Sequence, residues 1–169
     1  MSAPGVDSPD STHPPGSTTR SGSRSRSPKG LEARVPPHNI EAEASLLGAM
    51  LLSRDAIVDA LEVVRVEHFY KPSHAHVFEA ICGLYAVGEP ADPITVGEAL
   101  ARADLLDAIG GTGTLLELQA TTPATSSAAK YARIIQEHST LRSLISAANE
   151  IAGIGYGRPD DVVKAVDEA

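Results

Sequence analysis

The stretch SSAAKYARIIQEHSTLRSLISAANEI, residues 126–151, predicts one long helix, because it lacks glycine and proline and repeats apolar residues at helical spacing. With Tyr131 as position a of a heptad, a seam of a and d positions runs to Ala152. A second stripe of Ile135, Leu144 and Ile151 lies beside it. Two adjacent apolar stripes need cover on more than one side. We therefore take the seam as the candidate subunit interface: Tyr131, Ile134, His138, Leu141, Ile145 and Ala148.

The residues before this helix predict a compact head of several shorter helices. Aromatic residues make up only 4% of the chain and Trp is absent, so the core must consist of Leu, Ile, Val and Ala, which favours an all-α fold. Asn39 is a candidate N-cap for the first helix, with Glu41 and Glu43 in its first turn. Later helices are predicted to begin at these residues: Ser53, Ser73, the capping box Thr95–Glu98 and the capping box Thr114–Glu117.

Two short segments of the head predict breaks between helices. The pair Gly110-Gly111 predicts a turn. The run of residues 63–66 is compatible with a short strand, although no second strand-like run exists to pair with it.

The carboxy-terminal residues predict the start of a hairpin. Gly153, Gly155, Gly157 and Pro159 indicate a turn, and Val162, Val163 and Val166 indicate a second helix before Ala169. That helix would have about ten residues, fewer than the roughly 12 to 15 at which an isolated helix is marginal. We expect the chain to be a piece of a larger protein.

The remaining organisation follows from composition. Residues 1–34 are rich in Ser, Pro, Gly and Thr and predict a disordered leader, whose Arg-Ser alternation is compatible with weak nucleic-acid contact or phosphorylation. We expect a globular head over 35–122 and a helical hairpin over 123–169. Residues 35–169 hold nine Lys and Arg against nineteen Asp and Glu, and so acidic a surface should repel phosphate groups.

No residue pattern predicts a catalytic, cofactor or metal site. The Gly-x-x-x-x-Gly-Lys-Ser/Thr pattern of nucleotide-binding loops is absent. Cys82 lies in an apolar stretch and predicts a buried small side chain rather than a reactive thiol. Other potential ligands are interpreted as structural or solvated side chains: His68, His74 and His76, and the acidic face Asp55, Asp59 and Glu62. Without an 18-residue apolar run, signal peptide or cysteine pair, we expect a cytoplasmic protein.

Several short motifs follow one another along the chain, and their order and spacing are informative together. The chain opens with PPHNIEAE at 36–43, followed by Leu47-Gly48. The later motifs are Phe69-Tyr70, His76-Val77-Phe78, Asp92 with Thr95, Gly110-Gly111, Thr122-Pro123, YARII at 131–135, and Arg142 before Leu144-Ile145. Over residues 35–169 the chain resembles the amino-terminal domain of bacterial replicative DNA helicases of the DnaB family. It departs from that pattern at His68, Pro93 and Thr114.

The resemblance implies a part of a hexameric ring helicase. ATP and Mg²⁺ binding and translocation on DNA would belong to a carboxy-terminal domain, and this part would not be an enzyme. In the family, the amino-terminal domains form a collar in which hairpins of neighbouring subunits pair, and the collar docks primase. The helicase loader is a further candidate partner.

We therefore expect an assembly and docking domain that acts in DNA replication and primosome formation. Two other classes of function stay open at this point. One is a stand-alone helical adaptor unrelated to replication, and the other is a small metal-dependent enzyme built around His68, His74 and His76.

Overall fold

A computed structural model of the chain describes residues 35–157, and these residues are helical throughout apart from short connections. The α-helices are α1 (Ile40–Leu52), α2 (Arg54–Val63), α3 (Pro72–Ala86), α4 (Pro93–Arg102), α5 (Leu106–Ile109), α6 (Thr112–Ala120) and α7 (Ala128–Tyr156). Single turns of 3₁₀ helix lie at Val66–His68 and Thr125–Ser127. The all-α prediction is confirmed for this part of the chain. The leader (1–34) and the second hairpin helix lie outside the described residues.

Helix α1 is the centre of the fold, because it packs against α2, α3, α6 and α7. Leu46, Leu47 and Met50 on this helix have almost no solvent exposure. Around them lie fully or nearly fully buried side chains from the other helices: Ile57, Val77, Phe78, Ile81, Val96, Leu100, Leu115, Leu118, Ala132 and Ile135. Aliphatic side chains dominate this core, as the composition predicts.

The observed helix caps agree in part with those predicted from the sequence. The side-chain oxygen of Asn39 accepts a hydrogen bond from the Ala42 N–H at 2.9 Å, which confirms Asn39 as the N-cap of α1. Ser53 occupies the N-cap position of α2, although its side chain makes no capping hydrogen bond. Helix α3 begins at Pro72 with Lys71 as its N-cap, so the predicted start at Ser73 is wrong by one residue.

The predicted capping box at Thr95 and Glu98 is wrong. Helix α4 begins at Pro93, and the Asp92 carboxylate accepts hydrogen bonds from the N–H groups of Ile94 and Thr95 at 2.8 and 3.1 Å. The Thr95 hydroxyl accepts the Asp92 N–H in return, at 3.0 Å. Asp92 prevails as the cap because the proline after it already has a helical φ and has no N–H to satisfy.

The turn at Gly110-Gly111 is confirmed, since both residues have positive φ, 96° and 82°. The capping box predicted at Thr114 and Glu117 is wrong, because both lie inside α6, which starts at Thr112. Gly111 is the N-cap and contributes no side chain. The double glycine makes the turn sharp enough for the helix to start immediately after it.

Two further expectations are corrected. The run at residues 63–66 is the end of α2, one extended residue and the start of a 3₁₀ turn, and residues 35–157 contain no strand. The turn predicted at Gly153 and Gly155 is also wrong, because α7 continues to Tyr156 and the Gly157 N–H donates to the Gly153 carbonyl at 2.9 Å. A glycine costs a helix about 1 kcal/mol but does not interrupt its hydrogen bonds.

Gly48 allows α1 and the end of α6 to approach closely. A Cβ atom at this position would overlap the Thr122 hydroxyl and the carbonyl of Leu118. One of the clashing groups is backbone, so the clash could be relieved only by moving α6.

We predict that Gly48→Ala lowers the free energy of unfolding by about 1–3 kcal/mol, because the added methyl overpacks this contact. The matched control is Gly83→Ala on the exposed side of α3, where nothing lies within 4 Å of the added atom. It should stabilise the chain by about 0.5–1 kcal/mol. Urea unfolding followed by circular dichroism measures both, and a Gly48→Ala chain as stable as the wild type would contradict the packing argument.

Candidate assembly surface

The first half of α7 packs against the head of its own chain. Ala128, Ala132, Ile135 and Ser139 are buried and recur at spacings of four, three and four residues, so they form one face of the helix. Tyr131 and Ile134 lie beside this face and are partly buried against the core. These two residues of the predicted seam therefore have apolar cover within their own chain.

The second half of α7 has no such cover among the described residues. Leu141, Leu144, Ile145 and Ile151 have 46%, 66%, 45% and 48% of their surface exposed. Every residue from Ser143 to Gly153 is exposed, and this range includes Ala148. We call Leu141, Leu144, Ile145, Ala148 and Ile151 the exposed stripe.

The structure thus divides the predicted interface along its length. His138, at the division, is partly buried, and its Nδ1 atom is shielded from solvent without a hydrogen-bond partner. The role of the six seam residues in subunit contact stays a prediction. Leu141, Ile145 and Ala148 are the members that a second chain could reach without displacing the head.

Arg142 marks the boundary between the covered and the exposed half. Its Nη1 donates to the Pro37 carbonyl at 2.9 Å and its Nη2 donates to the His68 carbonyl at 2.7 Å. Its guanidinium carbon also lies 5.7 Å from the centroid of the Tyr70 ring. One side chain of α7 therefore joins the segment before α1 to the last residue of the first 3₁₀ turn.

Tyr70 forms the platform beside this arginine. The His38 ring stacks on the Tyr70 ring with centroids 4.2 Å apart and an angle of 11° between the planes. The backbone of Tyr70 is held from the other direction, because its N–H donates to Glu43 Oε1 at 2.7 Å. The contacts of Arg142 are thus connected to the interior of the head.

Glu43 is a buried carboxylate with only 2% of its surface exposed. Besides the Tyr70 N–H, it accepts the Lys71 N–H at 3.3 Å and faces His74 Nδ1 at 2.9 Å. A carboxylate oxygen only accepts, so the hydrogen of this last contact belongs to the imidazole. Glu43 thereby ties α1 to the start of α3.

The sequence placed Glu43 in the first turn of α1, where the helix dipole favours negative charge, but it did not predict these contacts. One signal was present, because Glu43 precedes Leu46, Leu47 and Met50 by three, four and seven residues and so shares the buried face. His74 likewise precedes Val77 and Phe78 by three and four residues. A charged residue on an apolar face indicates a buried partner, although the sequence does not show which one.

The groups considered for metal or thiol chemistry have structural surroundings. His74 contacts Glu43, and His68 Nδ1 accepts the Arg65 N–H at 3.1 Å. Within residues 35–157, no three or more His, Cys, Asp or Glu side chains are grouped to hold a metal ion. Burial raises the pKa of the Cys82 thiol to about 11, with Glu79 adding to the shift and a backbone hydrogen bond opposing it. This thiol is therefore protonated at neutral pH.

In the described part of the chain, no helix has both the length and the apolar character that crossing a bilayer requires.

The sequence pattern of one protein family, described as the DnaB-like helicase N terminal domain, matches residues 35–137. The chain belongs to this family. The replicative DNA helicase DnaB of Mycobacterium leprae is 45% identical over 138 residues, which are 80% of this chain and 23% of that protein. The chain thus spans about a quarter of the length of this relative. Membership of a family of helicase domains does not favour the alternative function, a stand-alone helical adaptor unrelated to replication.

Solved structures of the family share the fold. The N-terminal domain of DnaB helicase from Mycobacterium tuberculosis is 43% identical, with a TM-score of 0.74, and the match covers 79% of this chain and 94% of that one. A structure described as a DnaB-like replicative helicase and its interactions with primase is 26% identical, with a TM-score of 0.60. That match covers 77% of this chain and 31% of that one.

We predict that Glu43→Ala lowers the free energy of unfolding by about 3 kcal/mol, because it leaves the backbone N–H groups of Tyr70 and Lys71 and the buried His74 ring without their acceptor. The matched control is Glu41→Ala, which removes an exposed carboxylate from the same helical turn. It should cost less than about 1 kcal/mol. Chemical unfolding measures both variants, and equal losses would show that the buried contacts contribute nothing.

Proposed function

We propose that this chain is an assembly and docking domain of a replicative DNA helicase, and that it joins subunits through the second half of α7. The observation that carries the proposal is the exposed stripe. It lies on the part of α7 that extends beyond the head of its own chain. Membership of the helicase family supplies the context. Two copies would each cover the stripe of the other in a symmetric contact.

The charge distribution supports this surface as the point of contact. Residues 35–169 carry nineteen acidic and nine basic residues, so two copies have the same sign of net charge and repel one another. Residues 141–157 carry only Arg142 and Glu150, whose charges cancel. The end of α7 is therefore the part of the domain where apolar contact meets little electrostatic opposition.

Catalysis is proposed to lie elsewhere in the parent protein. The chain has no phosphate-binding loop pattern and an acidic body, and neither feature suits the binding of ATP or DNA. The M. leprae relative is several times longer than the matched segment. We propose that a carboxy-terminal domain binds ATP and Mg²⁺, hydrolyses ATP and contacts DNA. Six copies of this domain would hold a ring of such motors in register.

Primase is the proposed docking partner. Support comes from the DnaB-like replicative helicase whose structure was described with its interactions with primase. The helicase loader is a second proposed partner. Both fit a domain that presents helical surfaces to other proteins.

We predict that Ile145→Asp weakens self-association at least about 100-fold, because burying an unpaired carboxylate in the contact costs roughly 3 kcal/mol or more. Leu141→Asp should act in the same way. Sedimentation equilibrium on the 169-residue chain measures the dissociation constant, and circular dichroism checks that the head stays folded.

The matched control for this experiment is Ser143→Asp, which places the same charge on an exposed residue two positions earlier, about 160° around the helix. It should leave the dissociation constant within about threefold. A wild-type chain that is monomeric at about 1 mM, where even weak specific dimers form, would contradict the proposal. So would a dimer that Ile145→Asp leaves intact.

We predict that immobilised primase from the same organism retains the wild-type chain and not a folded protein of similar charge. The Ile145→Asp variant tests the second half of α7, and Ile94→Asp tests an apolar site on the head, since Ile94 is 77% exposed. Loss of retention with one variant assigns the docking surface to that region. Absence of wild-type retention would contradict primase docking and leave the self-association proposal standing.

A further inference from the structure

We propose that Arg142 is a positioning residue for self-association: without touching the second chain, it fixes where α7 leaves the head and which way the exposed stripe points. This inference rests on the proposed function, because it concerns the same surface.

Arg142 is the final member of the face of α7 that packs on the head. It follows Ser139 by three residues and so extends the buried series of Ala128, Ala132, Ile135 and Ser139. The next positions on that face, Ser146 and Asn149, are exposed. The contacts of Arg142 are therefore made at the point where the head stops covering the helix.

The chemistry of these contacts suits positioning. Two nitrogens of one planar group donate to two carbonyls, those of Pro37 and His68, which lie 105 and 74 residues away along the chain. The donors of a guanidinium have fixed relative directions, so satisfying both carbonyls restricts the rotation of α7 about its own axis. Apolar burial of Ala132 or Ile135 has no such directionality.

The exposed stripe has a defined angle to this clamp. At about 100° per residue, Leu141, Ile145 and Ala148 lie roughly 60° to 120° from Arg142, all on the same side of the helix. Ile151 lies nine residues beyond Arg142, a distance of about 13 Å along the helix axis. A tilt of about 10° at the clamp would displace Ile151 by roughly 2 Å, which is enough to disrupt a close-packed contact.

The clamp lies at the surface, where Tyr70 is 38% exposed, but it is connected to the core through one hydrogen bond. The Tyr70 ring beside Arg142 stacks on His38, and the Tyr70 N–H is held by buried Glu43. The platform that sets the direction of α7 is therefore fixed to α1, the central helix of the head. A second chain would meet a stripe whose orientation is already determined, which lowers the entropy lost on pairing.

The test compares Arg142→Ala and Arg142→Lys with the control Arg133→Ala, which removes an exposed arginine from the same helix. Sedimentation equilibrium should show a dissociation constant raised about tenfold or more for Arg142→Ala. Arg142→Lys should lie between this value and the wild type, because it keeps the charge but loses the paired donors. Arg133→Ala should match the wild type.

A second measurement separates positioning from loss of stability. Nitroxide labels at Glu79→Cys on the head and Asn149→Cys on α7, in a Cys82→Ala background, report the angle of the helix by pulsed electron spin resonance. The labelled chain is diluted into unlabelled chain so that only distances within one subunit are seen. The distance distribution should broaden or shift in both Arg142 variants and stay unchanged in Arg133→Ala. Arg142→Lys keeps the test valid if Arg142→Ala does not fold.

Weaker pairing with an unchanged distance distribution would overturn the inference, since Arg142 would then act in the contact itself. An altered distribution with unchanged pairing would overturn it as well. If Ile145→Asp abolishes pairing while both Arg142 variants pair normally, only this inference fails. A wild-type chain that never pairs defeats the proposed function, whereas the distance measurement on that chain still reports whether Arg142 sets the angle of α7.

Discussion

Helix α7 is longer than the head that covers it, and this mismatch governs the rest of the molecule. Its 29 residues extend for about 43 Å. The head covers one face of the helix as far as Arg142, and the apolar residues beyond that point are exposed. A continuous helix cannot fold its second half back onto the head, because its backbone hydrogen bonds keep it extended. Within residues 35–157 nothing covers this apolar surface, and solvent is a less favourable environment for it than contact with another apolar surface.

Apolar packing and polar contacts have different tasks in this domain. Burial of Leu46, Leu47 and Ile135 stabilises the head through the hydrophobic effect, which has no direction of its own. The hydrogen bonds of Glu43 and Arg142 are few and directional, and both side chains bind backbone groups distant in sequence. Burying such groups costs desolvation free energy, which is offset only when their donors and acceptors are satisfied. These few hydrogen bonds matter mainly because they fix the orientation of the helices that they join.

The sequence predicts what depends on neighbouring residues and misses what depends on distant ones. The cap at Asn39 and the turn at Gly110-Gly111 are local, and both were predicted. The start of α4 was misplaced because two overlapping caps compete, and the proline that decides between them acts through its fixed φ. The spacing of apolar residues predicted the two stripes of α7. It did not show at which residue the head stops covering this helix. The partners of Glu43 and Arg142 are 27 to 105 residues away, so no local pattern could identify them.

The net charge of the chain opposes the proposed pairing, and the position of the exposed stripe reduces that opposition. A domain with nineteen acidic and nine basic residues over 35–169 should resist association with its own copies. Screening limits that repulsion to about 8 Å at physiological ionic strength. Ile151 lies about 13 Å along α7 beyond Arg142, farther than the screening length, and residues 141–157 carry no net charge. Under the proposed pairing, contact through this half would leave the acidic heads mostly out of range of one another, so apolar association there would meet little electrostatic resistance.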